Sequence, residues 1–248
     1  MKRVYLAAGL AGLLLFLLAY IPAPLLYHWG NWGPQTQALG LSGNLWRGQA
    51  ASVSLSGIAL RDLQWRWRPQ ALLIGRFSHR VTAQTDGGSL EAVVSSAWLG
   101  NTLRISALHG SLPVEQLGPS LQLPVLPVSG SLQFGFKRLH LRAGKPWLAE
   151  GELDFHSLVF SFSSPPAALG NYHAIVNTVK QTIQLQLSSE AGQLEASGTG
   201  QISREGQYML DLKLRPRVVA QAAVVSLLQS LGQPDTEGWY RLRRNGNF

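Results

Sequence analysis

The chain has 248 residues, of which 14% are charged and 46% hydrophobic, with 21 Lys and Arg against 13 Asp and Glu, a formal net charge of +8. It has no cysteine, which excludes a disulfide framework, a thiolate zinc site and a cysteine nucleophile. The basic residues are scattered, with small groups at Arg66/Arg68 and Arg241/Arg243/Arg244 and no long basic run, so no nucleic-acid partner is expected. Anionic headgroups or an acidic protein partner fit such a charge better, and simple solubility accounts for it too.

The first element is an apolar run. Residues Val4 to Ile21 carry no charge and are long enough for a membrane-spanning helix. Lys2 and Arg3 precede it and the next charged side chain is Arg47, which places the N-terminus in the cytoplasm. Tyr20, Tyr27, Trp29 and Trp32 suit the headgroup layer, and Pro22 and Pro24 end the helix. A cleaved secretory signal is the rival, but its apolar core is ordinarily shorter and ends at a small-x-small site, which Ala19-Tyr20-Ile21-Pro22 does not offer. The expected layout is a cytoplasmic tail (1–3), a transmembrane anchor (4–21), a juxtamembrane linker (22–40) and a periplasmic β-rich domain (41–248), with halves 41–120 and 129–248 as an alternative division. The location is then the inner membrane, single-pass, with the domain in the periplasm.

Beyond the anchor, apolar residues recur at every second position, the mark of strands covered on one face. Val53 and Leu55 alternate with Ser. Leu63, Trp65 and Trp67 alternate with Gln64, Arg66 and Arg68. Leu132, Phe134 and Phe136 continue as Leu139 and Leu141 after a shift at Lys137-Arg138. Leu153 and Phe155 give way to Leu158, Phe160 and Phe162. Ile183, Leu185 and Leu187, then Tyr208, Leu210, Leu212 and Leu214, repeat the pattern. Gly, Ser, Asn and Pro clusters separate these runs. One helix is expected over Arg217 to Leu231, started by Pro216 and stopped by Gly232 and Pro234, and one short turn over Pro113 to Leu117. Leu121 to Val128 reads as an extended connector. Ser42-Gly43, Ser129-Gly130 and Ser197-Gly198 each open a strand-rich segment, but their spacings are unequal and Ser-Gly is a common turn pair. The fold class is mostly β: one N-terminal transmembrane helix, an antiparallel, elongated or curved sheet, and a short C-terminal helix.

No catalytic signature is present in the sequence. The histidines at 28, 79, 109, 140, 156 and 173 show no metal-ligand spacing, Gly198-Thr199-Gly200 is not a nucleotide loop, and Gly87-Gly88-Ser89 is not a nucleophile elbow. Glu150, Glu152, Asp154 and His156 share one strand face, a row that fits a solvated face better than a cation site. No enzyme activity, cofactor or metal is expected. The candidate residues are Trp46, Trp65 and Trp67, as core packing or as a partner-binding aromatic patch.

Two segments, Leu41-Ser-Gly-Asn-Leu-Trp46-Arg-Gly48 and Leu63-Gln-Trp65-Arg-Trp67-Arg-Pro69-Gln-Ala-Leu72-Leu-Ile-Gly75, form a glycine turn, a strand and a Trp-bearing strand closed by proline. With Gly206 to Pro216 and the terminal Gly238-Trp-Tyr240-Arg-Leu242, they resemble the type II secretion system protein N family over nearly the whole chain. The resemblance implies an accessory inner-membrane component that supports export of folded proteins, in contact with other inner-membrane parts of the apparatus. It carries over no catalytic or cofactor residue. A looser likeness to AsmA-type proteins implies, as the alternative, a groove that contacts lipid.

Overall fold

The computed structural model describes residues 20–29, 36–55, 57–97, 102–118, 126–142, 144–161, 166–218 and 220–247. Fourteen strands dominate it. They are β1 (Thr36–Leu39), β2 (Ser42–Gly43), β3 (Arg47–Leu55), β4 (Ile58–Trp67), β5 (Arg76–Thr85), β6 (Gly88–Ala97) and β7 (Thr102–Pro113), followed by β8 (Val128–Arg142), β9 (Lys145–Phe160), β10 (Ala167–Val179), β11 (Thr182–Ala191), β12 (Leu194–Ile202), β13 (Gln207–Pro216) and β14 (Tyr240–Asn247). Among the described residues the helices named beside them are α1 (Ala23–Trp29) and α2 (Ala222–Gln229), with short 3-10 segments at Pro69–Ile74 and Val114–Leu117.

All the strands form one antiparallel sheet in the order β1-β3-β4-β5 and onward to β14, with β2 beside β3. Thr36 pairs with Leu55 and Ser42 with Gln49, so β1 and β2 are one interrupted strand along the edge of β3, kinked at Gly40. From β3 on, each strand pairs with the next in sequence, a meander without crossovers. The β7–β8 pairing is continuous, so the sheet is not divided between the halves 41–120 and 129–248. α1 and β1 fall inside the stretch 22–40 read as linker, so ordered structure begins before residue 41.

The alternation read from the sequence sets the two faces. Register aligns Trp65 with Val81, Leu112 with Leu132, Phe134 with Leu153, Ala174 with Leu187 and Gly198 with Leu212, so apolar side chains of neighbouring strands meet on one side of the sheet. The expected shift at Lys137-Arg138 is a register break between Phe136 and Arg138, which returns Leu139 to the apolar face opposite Ala149. Further irregularities lie at Asp62, Ala107 and Ser157, each at positive φ beside a register break or skipped pairing. Bulges of this kind add local twist.

Cover over the apolar face is local. α2 lays Val224 and Leu228, four residues apart and fully buried, onto Leu169, Tyr172, Leu194, Ala196 and Tyr240. The Tyr172 hydroxyl donates to the carbonyls of Leu169 at 3.1 Å and Leu194 at 2.9 Å, and burial raises its pKa to about 12. The 3-10 segment after β7 packs Val114 on Leu112 and Leu132. The third cluster joins Ala149, Val176 and Ile183.

The C-terminal helix is shorter than the Arg217 to Leu231 span expected from sequence. Pro216 still pairs with Leu194, the Arg217 N–H donates to the Gln193 carbonyl at 2.9 Å, and Gln221 is extended at the N-cap, so the backbone before Ala222 belongs to the sheet margin. The turn expected over Pro113 to Leu117 is the 3-10 segment Val114–Leu117. Among the described residues no helix is long and apolar enough to cross a membrane. The anchor expected over 4–21 lies outside the described residues except for Tyr20 and Ile21.

Candidate functional site

The sequence-selected tryptophans come together where β3 begins and β4 ends. The Asn44 side-chain oxygen accepts the backbone N–H groups of Trp46 at 3.0 Å and Arg47 at 2.9 Å, and the Asn44 backbone N–H donates to the Arg47 carbonyl, an Asx-type turn that joins β2 to β3. The Trp67 N–H then donates to the Trp46 carbonyl at 2.7 Å. Trp46 meets Trp67 edge to face, with centroids 4.5 Å apart, and Phe77 at 6.4 Å. Trp65 lies across Gly48, which has no room for a Cβ, and its indole N–H donates to the Asn44 carbonyl at 3.0 Å. The three tryptophans are half-buried. The buried Trp67 indole nitrogen has no acceptor among the described residues.

His79 closes the cluster with Nε2 at 3.0 Å from the Leu45 carbonyl. Burial lowers its pKa below the ordinary 6.5, and the contact with the Leu45 carbonyl partly offsets this. The unfolded chain therefore binds this proton more readily, so the contribution of neutral His79 is present above pH 6.5 and is lost as pH falls from there through the lowered folded value. Sequence spacing gives no hint of this contact, because the partners stand 34 residues apart.

The other face of the same strands is basic. Arg47 stands opposite Arg66, and Arg66 opposite Arg80, so three arginines occupy directly facing positions on β3, β4 and β5. With Arg68, Gln49, Gln64 and Thr82 they border a cleft of about 580 Å³. Arg80 lies 3.5 Å from Glu91, whereas no described carboxylate is within ion-pair distance of Arg47, Arg66 or Arg68. Sequence reading found Arg66 and Arg68 as a pair but could not join them to Arg47 and Arg80 without the strand register.

The acidic row of β9 occupies the polar face. Glu150 takes a two-pronged contact from Arg138, at 2.8 and 2.5 Å. Asp154 lies 2.6 Å from His173 of β10, and that hydrogen bond raises the His173 pKa above its ordinary value. Farther along, Arg241 and Arg243 bracket Asp211 and hold its carboxyl down at about 2. Glu150, Asp154 and Asp211 are thus matched by cross-strand bases, whereas Glu152 stands opposite Gly135 and Ile175, and no group of three or more His, Asp or Glu that could hold a metal ion occurs among the described residues.

Residues 34–243 match the family model described as type II secretion system (T2SS), protein N. The chain is 26% identical over 218 residues to the type II secretion system protein N of Vibrio cholerae, covering 84% of both. It is 27% identical over 257 residues to that of Aeromonas hydrophila, covering the whole of each, and 25% identical over 215 residues to that of Klebsiella pneumoniae, covering 84% of this chain and 81% of the relative. No solved structure matches at a significant level. With the family match spanning most of the sheet, the chain belongs to the type II secretion system protein N family.

Proposed function

We propose that this chain is a non-catalytic accessory component of the type II secretion apparatus, held in the inner membrane by a single helix over residues 4–21, with the fourteen-stranded sheet in the periplasm. It supports export of folded proteins by making assembly contacts with other inner-membrane parts of the machine. The observation that carries the reading is the family match over residues 34–243. The uncharged run behind Lys2 and Arg3 adds the orientation. Trp46, Trp65 and Trp67 serve as the packed floor of the sheet end nearest that run, since the chain at Pro22 bridges to Asn44 there.

A second reading has support of its own. One apolar face runs along the meander, covered locally by α2 and the 3-10 segment after β7, and it could shield acyl chains as a lipid-contacting groove.

A reporter active only in the periplasm, fused after Phe248, tests the topology. It is expected to be active, and to lose activity when Lys2 and Arg3 are moved to follow Tyr27. A fusion active only in the cytoplasm overturns the proposal.

A further inference from the structure

Like charges directly opposite each other on neighbouring strands destabilise a sheet, yet Arg47, Arg66 and Arg80 face one another across three strands. Only Arg80 has a carboxylate beside it, Glu91, among the described residues.

A second, independent feature stands at the same end of these strands. The β4–β5 connection is the 3-10 segment Pro69–Ile74, stopped by Gly75 in the left-handed conformation. It exposes three consecutive apolar side chains, Leu72 at 42%, Leu73 at 90% and Ile74 at 66%. Water gains nothing from such a tip, and no element of the described chain covers it. Apolar side chains at a tip with arginines behind them suit the boundary between acyl chains and phosphates, where the stems and heads of arginine divide between the two layers.

The third observation gives the direction. Pro22 bridges to Asn44, next to Arg47, so the chain arrives from residues 4–21 at this end of the sheet, with Tyr20 exposed. α1 then runs toward β1, where the Tyr27 hydroxyl donates to the Thr36 carbonyl at 3.0 Å. The turns at the opposite ends of β4 to β7 carry Asp86 and Glu115 instead. The arginine row and the apolar tip thus lie at the end of the sheet where Pro22 bridges to Asn44, whereas at the opposite end Asp86 is already bonded to Arg61.

Building on the anchor proposed above, we infer that the β4–β5 tip is a second membrane contact: Leu72, Leu73 and Ile74 enter the interface of an anionic bilayer while Arg47, Arg66 and Arg68 bind its lipid phosphates. The sheet then stands at a fixed tilt to the membrane on two points, the helix and the tip, rather than swinging on one linker.

The absence of cysteine makes the test clean, because single cysteines can be introduced and labelled. The full chain is placed in nanodiscs of phosphatidylethanolamine and phosphatidylglycerol, labelled with a polarity-sensitive fluorophore at Leu73→Cys, at Leu13→Cys or at Glu237→Cys, and exposed to lipid-attached quenchers. Labels at positions 13 and 73 are expected to be quenched and the label at 237 to remain in water. Quenching at 73 is expected to fall at least threefold in pure phosphatidylcholine, at high salt, or with R47Q and R66Q combined, while quenching at 13 is unchanged. The double variant should melt no lower than the parent, since it removes a repulsion. A label at 73 that stays in water while 13 is quenched overturns the tip contact and leaves the anchor standing. Labels at 13 and 73 both in water overturn the anchor itself. Quenching at 73 that ignores lipid charge, salt and R47Q/R66Q overturns the phosphate assignment and gives the arginines to an acidic protein partner.

Discussion

Leu228→Ala is expected to lower the stability of the folded chain by about 2–5 kcal/mol, the usual cost of emptying a fully buried leucine site. Leu228 is wholly buried between α2 and the strands that carry Leu169, Leu194 and Tyr240. A helix of eight residues has little stability of its own, so this side chain and Val224 are what fix it to the sheet. Loss of either loosens the cover over Tyr172 and over Leu169, Leu194 and Ala196 together. The measurement is denaturant unfolding of the detergent-solubilised chain, followed by tryptophan fluorescence. An unchanged midpoint would mean that α2 is a loosely attached flap and that the apolar face beneath it is open.

Trp65→Ala is expected to cost about 3 kcal/mol, the lower end of the range for large aromatic sites, because the indole is half-buried. Besides its area, the substitution removes the hydrogen bond to the Asn44 carbonyl and leaves a trough over Gly48. Gly48→Val, which drives a side chain into the space the indole occupies, should reproduce the loss by the opposite route. If Trp65→Ala unfolds at the parent midpoint but fails to pull down other secretion components, the tryptophans are a partner surface rather than a floor.

Much of the fold was legible because one face of each strand is buried. Period-two alternation at Leu63-Trp65-Trp67 or Leu210-Leu212-Leu214 is a direct imprint of that face, and even the break at Lys137-Arg138 showed as a change of phase. Short pairings leave no imprint: Thr36-Gln-Ala-Leu39 is too brief to show a period and in sequence looks like linker. The expected helix over Arg217 to Leu231 exceeds Ala222–Gln229 because this stretch is apolar enough for either state, whereas the bond from Arg217 to Gln193 is a long-range fact. The candidate site divides the same way. Trp46, Trp65 and Trp67 stand out by residue type, but the arginine row and His79 beneath Leu45 depend on register, which no single strand encodes.

The central claim is a structural rather than chemical role in secretion, exerted from the membrane. Its most direct test is a secretion assay in a host that carries the matching apparatus but lacks its own copy of this protein, comparing Leu13→Arg with single alanine variants of Glu150, Glu152, Asp154 and His156. A charge near the bilayer centre costs roughly 2.5–3.5 kcal/mol on insertion scales, so Leu13→Arg is expected to reduce export sharply. The four polar residues lie on the wet face of β9, and each alanine variant is expected to export at close to the parental level. An alanine variant that abolishes export while its abundance and melting midpoint stay at parental values would contradict the account and point to chemistry in that row.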